Sequence, residues 1–163
     1  MTELTEYRGE EARAVSLIQS FWKEHNGYNM PPEEAKEDLA AWTASGHAFY
    51  FICREQEPVG FLHLGSRGGK VDWLEDLFVL PTCQNQGIGS EAVRLAEEIV
   101  KAYSESMYIE AAARNERAIR LYKRLGYDCL NTVSVRKDFP GHEYQTVREE
   151  TIYGERFEIR KSR

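Results

Sequence analysis

Gln84-Asn85-Gln86-Gly87-Ile88-Gly89 is the stretch of this sequence best suited to hold an anion. It lies between a strand-like run and an amphipathic helical run. Its backbone N–H groups would therefore converge at a helix N-terminus, where unpaired donors and the helix dipole favour negative charge. Gly87 and Gly89 suit a pyrophosphate cradle, because a Cβ would hold phosphates off the amides and restrict positive φ angles. An ordinary glycine-containing turn uses the same residues. The pattern is not GxGxxG, and no Lys-Ser/Thr follows the glycines as a P-loop requires. Upstream, Glu75 and Asp76 put charge where a buried strand would want apolar groups. Downstream, Arg114, Arg117, Arg120, Lys123 and Arg124 against Glu116 give a local charge of +4. Cys53, Cys83 and Cys129 have neither CxxC nor CxxH spacing, so neither a disulfide framework nor a metal site is expected.

The elements that must position these groups follow from hydrophobic period. A short extended stretch is expected at Leu4–Tyr7. A first helix over 10–25 carries Ala12, Val15, Ile18, Gln19 and Trp22 at three- and four-residue steps. Pro32 with Glu33 and Glu34 opens a second helix that runs to about Ser45. Strands His47–Arg54 and Pro58–Gly65 form a hairpin. In the next strand, Lys70–Leu80, alternation puts Trp73, Glu75, Leu77 and Val79 on one face and Leu74, Asp76, Phe78 and Leu80 on the other. Ile88, Ala92, Leu95, Ala96, Ile99 and Tyr103 trace one face of a third helix. A strand at Ser106–Ala112 comes next, then a helix capped by Asn115 and stopped by Gly126. Strands Tyr127–Arg136 and Thr151–Arg160 close the chain. The order implies an α/β (α+β) fold, a mixed and mostly antiparallel central sheet with helices on both faces.

A length of 163 residues fits one domain over 1–163, with a C-terminal extension from about 139. Apolar residues make up 42% and charged residues 29%, which excludes wholesale disorder and coiled coil. No apolar run approaches the roughly 20 residues of a membrane span. The N-terminus lacks the features of a secretory signal, so a cytoplasmic location without membrane contact is expected. A net charge of −6 makes nucleic acid a poor partner and mildly favours cationic substrates.

Leu77-Phe78-Val79-Leu80-Pro81 followed by Gln84-x-x-Gly87-x-Gly89 resembles the acetyl-CoA signature of the GNAT N-acetyltransferase superfamily. Asn115-x-x-Ala118-x-x-x-Tyr122-Lys123-x-x-Gly126-Tyr127 resembles that family's next segment, with Asn and Tyr seven residues apart. The two motifs span roughly Asp72 to Tyr127. Within the superfamily, Leu74-Glu75-Asp76-Leu77-Phe78-Val79 looks closest to the diamine and polyamine (spermidine/spermine-type) acetyltransferases. Cys83 stands where many relatives carry an aromatic residue, and Asn85 where glycine is frequent. Neither departure removes an amide donor.

The resemblance implies an acetyl-CoA-dependent transfer of acetyl to a primary amine, by direct attack in a ternary complex and without a metal. Leu77, Phe78 and Val79 would pair by backbone with the pantetheine arm. The loop and first helical turn, Gln84, Asn85, Gln86, Gly87, Ile88, Gly89 and Ser90, would hold the pyrophosphate. Asn115 would contact the coenzyme arm as well as capping its helix. Tyr122 would protonate the departing thiolate, and its competing role is core packing. Lys123, Arg120 or Arg124 could face the 3′-phosphate of the adenosine. A neutral amine must attack, so a proton acceptor is needed, and Glu75 is the leading candidate. The alternative for Glu75 is a solvated or ion-paired carboxylate. Asp76, expected on the opposite face, would attract substrate charge.

His63 and His142 show no partner in the sequence and receive no role. Trp22, Tyr28, Trp42 and Trp73 could line an acceptor pocket, although packing explains aromatics at such spacing equally well. The acceptor is a small-molecule or peptide amine. A homodimer through Thr151–Arg160 stays open, because that strand could equally complete its own sheet. An acetyl-CoA-binding sensor without turnover is the reading from a different class. A covalent route through Cys83 or Cys53 lacks an activating motif.

Overall fold

The structure is a computed structural model and describes residues 1–162. It falls into two compact units, Met1–Glu110 and Ala111–Arg163. In the first, five strands form one sheet in the order β1 (Thr2–Glu6), β2 (His47–Arg54), β3 (Glu57–Ser66), β4 (Val71–Val79) and β5 (Tyr108–Ile109). The first four pair antiparallel, and β5 joins β4 in parallel. Helices α1 (Glu11–Asn26) and α2 (Pro32–Trp42) cover one face, and α3 (Ile88–Lys101) packs on β1 and β4. This is the mixed, mostly antiparallel sheet flanked by helices that the sequence predicts.

Side-chain alternation on β2 and β3 divides the core into two layers. Phe49, Phe51, Cys53 and Phe61, joined by Phe78 of β4, bury against Ala14, Val15, Leu17 and Ile18 of α1 and Ala35 and Leu39 of α2. The intervening residues Ile52, Leu62 and Leu64 are fully buried, as are Ala92, Val93 and Ala96 of α3. Helix α2 ends at Trp42, earlier than Ser45: Thr43 leaves helical geometry at φ of −112° and ψ of 1°, and its hydroxyl donates to the Leu39 carbonyl. Strand β5 is two residues long, well short of Ser106–Ala112, and pairs only with Trp73 and Leu74. Among the described residues, no helix is long and apolar enough to cross a membrane.

The second unit contains α4 (Glu116–Leu125) and a hairpin of β6 (Tyr144–Ile152) and β7 (Glu155–Ser162). Asn115 caps α4 by accepting from the Ala118 amide at 3.1 Å, and Gly126 ends it with φ of 103°. The expected inward residues Ala118, Leu121, Tyr122 and Leu125 are half-buried, so α4 contributes no fully buried side chain. The expected strand Tyr127–Arg136 does not form: Val133 and Val135 alternate as a strand would, but both are exposed, as is Leu130, and none of the three joins a ladder. Thr151–Arg160 is a hairpin corner, not one strand. Tyr153 and Gly154, at φ of 56° and 79°, turn the chain, and a two-residue loop with both φ positive matches strand twist. That local closure pairs β7 with β6 in a two-stranded sheet of their own.

Gly60 is where β3 and β4 approach most closely, since an added Cβ would lie 2.0 Å from the Phe78 carbonyl oxygen. Gly60→Ala should therefore cost on the order of 2–4 kcal/mol in a denaturant melt. Gly69→Ala, where nothing lies within 4 Å, should stay within about 0.5 kcal/mol.

Candidate active site

The β3–β4 ladder slips by one residue in the middle of the strand. His63 pairs with Asp76 and Leu64 with Leu74, so Glu75 is an extra residue with no partner on β3. A bulge of this kind re-aims side chains. Asp76 bonds to His63, and Glu75 lies over Gly65, whose added Cβ would stand 2.8 Å from the Glu75 Cγ. His63 and Gly65 share one face of β3 by alternation. Both carboxylates are thus on the α1/α2 face, and the expectation that Glu75 and Asp76 point oppositely is corrected. Leu77 lies on the other face, its Cδ2 3.9 Å from the position of a Cβ on Gly89.

Asp76 Oδ2 accepts from His63 Nδ1 at 2.8 Å, and His63 Nε2 meets His47 Nδ1 at 2.9 Å. His63 is 2% exposed and lies between two rings, His47 and Trp42, each stacked with its centroid 5.1 Å away. A carboxylate only accepts, so the partners assign Nδ1–H to His63 and, with a neutral His63 ring, Nδ1–H to His47. The lone pair at the end of the array is then His47 Nε2. The sequence offered His63 no partner because its partners are 16 residues upstream and 13 downstream. Strand register, including the bulge, is the only signal that joins them.

Beside this array, Arg67 holds Glu75 with both ends of its guanidinium, Nε to Oε1 at 3.1 Å and Nη2 to Oε2 at 3.0 Å. It also pairs with Glu110 and lies 3.8 Å above the Trp73 ring, which stacks on Tyr108. Glu75 and then Glu110 hold the Arg67 guanidinium protonated well above its ordinary range. Arg67 is 40% exposed and Glu75 25%. A pair so open to solvent is worth no more than about 1 kcal/mol, so an arriving cation can compete for Glu75. Of the candidate pocket aromatics, Trp42 and Trp73 border this cluster. Trp22 instead bonds Asp38 at 2.7 Å and Tyr28 bonds Glu34 at 2.7 Å, tying α1 and its following loop to α2.

Beyond Leu74, β4 runs on without β5 beside it, so one backbone edge of Leu77–Val79 lies outside the ladder among the described residues. That edge leads into the glycine segment. Asn85 and Gly87 adopt φ of 60° and 82°, Gly87 caps α3, and the first bond back into the helix runs from Glu91 to the Gly87 carbonyl. The amides of Ile88, Gly89 and Ser90 are accordingly first-turn donors at the positive end of the helix dipole. Gly87 needs its left-handed φ, whereas Gly89 does not. Gln84 donates its side-chain amide to the Val79 carbonyl at 2.9 Å, and Gln86 donates to Thr82 at 3.3 Å, so both shape the loop.

In the second unit Tyr122 is half-buried, its ring centroid 5.9 Å from that of Tyr127 in an edge-on arrangement. Lys123 is exposed, and the basic run is partly neutralised, Glu116 pairing with Arg120 and Arg148. Cys53 is buried in the core and Cys129 is exposed. Among the described residues, no group of three or more His, Cys, Asp or Glu is arranged to hold a metal ion.

A family model, the acetyltransferase (GNAT) family, matches residues 14–127, and the chain belongs to that family. Solved structures share the fold at low identity. A possible acetyltransferase from Clostridium difficile 630 superposes with a TM-score of 0.68 at 14% identity, covering 85% of this chain and 99% of that one. AAC(6')-Iy, solved with the bisubstrate analog CoA-S-monomethyl-acetylneamine, gives 0.65 at 15%, with 85% and 99% covered. The aminoglycoside acetyltransferase meta-AAC0020 from an uncultured soil sample, solved with sisomicin, gives 0.66 at 14%, with 85% and 95% covered.

Gly65 is the floor on which Glu75 rests. Gly65→Ala should therefore push the Glu75 side chain off Arg67; a crystal structure of the variant that keeps both Arg67–Glu75 hydrogen bonds would contradict this packing.

Proposed function

We propose that this chain is an acetyl-CoA-dependent N-acetyltransferase acting on a small cationic amine, by direct attack in a ternary complex. The observation that carries the reading is the continuity of the open β4 edge with the α3 N-terminus. The backbone of Leu77, Phe78 and Val79 offers a ladder to an extended amide-bearing arm. The amides from Asn85 to Ser90 offer donors to its pyrophosphate, with Gln84 and Gln86 fixing the loop. Asn115 and Lys123 take part through the second motif, beside the arm and its phosphates. Acetyl-CoA is the co-substrate.

The catalytic roles belong to Glu75 and Tyr122 in this reading. An alkylammonium with a pKa of about 10.4 costs about 4–5 kcal/mol to deprotonate at pH 7, so the amine needs an acceptor at the point of attack. Glu75 draws the ammonium to the bulge, exchanging its Arg67 partner for the substrate, and takes a proton. The free amine attacks the thioester carbonyl and strand N–H donors hold the oxyanion; as the C–S bond breaks, Tyr122 protonates the departing thiolate, and the second proton of the attacking nitrogen passes through water to the Tyr122 phenolate, leaving the neutral amide and restoring Tyr122. The cationic acceptor is supported by the acidic chain and by Glu75 and Glu110, whose carboxylates already hold one cation, the Arg67 guanidinium over Trp73. Aminoglycosides, named in the AAC(6')-Iy and meta-AAC0020 structures, join polyamines as the amines to try first.

The test is acetyl-CoA-dependent thiol release across polyamines, aminoglycosides, amino acids and short peptides. Turnover is expected with at least one polycationic amine. Tight CoA binding with no turnover across the panel would favour a sensor. Glu75→Gln should lower kcat on the order of 100-fold, most strongly below neutral pH, and Tyr122→Phe should lower kcat while sparing acetyl-CoA affinity. A wild-type pH profile in both variants would remove these assignments.

A further inference from the structure

The His47–His63–Asp76 array has no task in the reaction as drawn so far, although it occupies the strand face on which that reaction is placed. Its geometry is specific. Two hydrogen bonds of 2.9 and 2.8 Å run in series through a ring that is 2% exposed. Trp42 closes the array from α2, and the outer imidazole, His47, is half-exposed. Burying a ring of two polar nitrogens is favourable only when both are satisfied, and here each has a partner. Packing alone would be met by an aromatic without nitrogens.

His47 pairs with Gly65 across the β2–β3 ladder, and Gly65 is the residue over which Glu75 lies. His47 and Glu75 therefore flank the same glycine on the same face. The groups facing His47 are His63 of β3, Asp76 and Glu75 of β4, Arg67 through its pair with Glu75, and the uncharged Trp42 of α2.

We propose that the His47–His63–Asp76 array is the proton sink of the site: it empties Glu75 after each deprotonation and passes the proton to water. The proposal rests on the acetyl-transfer reading. A proton leaves the ammonium nitrogen as an O–H bond forms on Glu75. That O–H bond then breaks as an N–H bond forms at His47 Nε2, directly or through one water. The imidazolium keeps its Nδ1–H on His63 Nε2, and the half-buried Asp76 carboxylate balances the charge through His63 Nδ1–H. Loss of the Nε2 proton to solvent restores both Glu75 and the array, with no net change in either. His47 is the relay group; His63 and Asp76 are positioning residues that fix its ring orientation and leave Nε2 as its acceptor atom.

The test uses the full-length protein and the best amine of the panel. His47→Ala should reduce kcat by about 10- to 100-fold and flatten the acidic limb of the kcat–pH profile, with KM for acetyl-CoA unchanged. Added imidazole, which can reach this half-exposed site, should restore a large part of the rate. His63→Gln should leave the wild-type melting temperature nearly intact, lower kcat, and reduce the number of protons in flight in a solvent-isotope proton inventory. Wild-type kcat and proton inventory in folded His47→Ala and His63→Gln would overturn the relay while leaving acetyl transfer standing. A rate loss in His47→Ala that imidazole does not relieve, with an unchanged pH profile, would also overturn it and leave a packing role. Absence of turnover in the wild-type protein would overturn the acetyl-transfer reading itself, and the relay's task with it.

Discussion

One surplus residue in β4 governs the candidate site. Because Glu75 has no partner on β3, the strand changes which side chains it shows to each face. Leu74 goes under the sheet with Leu64, while Glu75 and Asp76 both come up on the α1/α2 face. Without the slip, alternation would send one carboxylate into the apolar layer beneath α3, where an unpaired charge would be costly. With it, one carboxylate meets Arg67 and the other meets His63. The bulge therefore allows two adjacent acidic residues in a central strand and sets them to different work.

The same strand has two chemically distinct ends. Toward Val71 it is paired on both sides, by β3 and by β5. Toward Val79, β5 has ended, and the next elements are a loop with left-handed Asn85 and Gly87 and then the first turn of α3. An open backbone edge continuing into a helix N-terminus suits a ligand that has amides along its length and an anion at its end. The polar cluster faces α2, and the loop leads to α3 on the other side, so the strand itself separates the polar cluster from the glycine loop.

The sequence carried most of the first unit because local signals there agree with tertiary ones. The hairpin of β2 and β3 and all three helices follow from period, caps and glycine punctuation, and the His47–Arg54 bounds match the structure. The glycine segment and Glu75 were legible as motifs. His47 was not, since nothing local distinguishes it and its significance depends on register with Gly65 and His63. The bulge was equally hidden: strict alternation separates Glu75 and Asp76 onto opposite faces, and one extra residue leaves no mark in a strand of mixed polarity. Beyond Gly126 the sequence misleads, because Val133 and Val135 have a strand's period without a surface to bury them. The strands form where the Tyr153-Gly154 turn closes a short loop.

The account turns on acetyl-CoA engaging the β4 edge and the α3 N-terminus together. Backbone amide NMR of the isotope-labelled protein, with acetyl-CoA added, reads both directly. Large shifts and slowed hydrogen exchange should appear together at Leu77–Val79 and at Gly87–Ser90, with little change in β1. Binding that leaves both segments unperturbed, or that perturbs only the face carrying Arg67 and Glu75, would contradict the account.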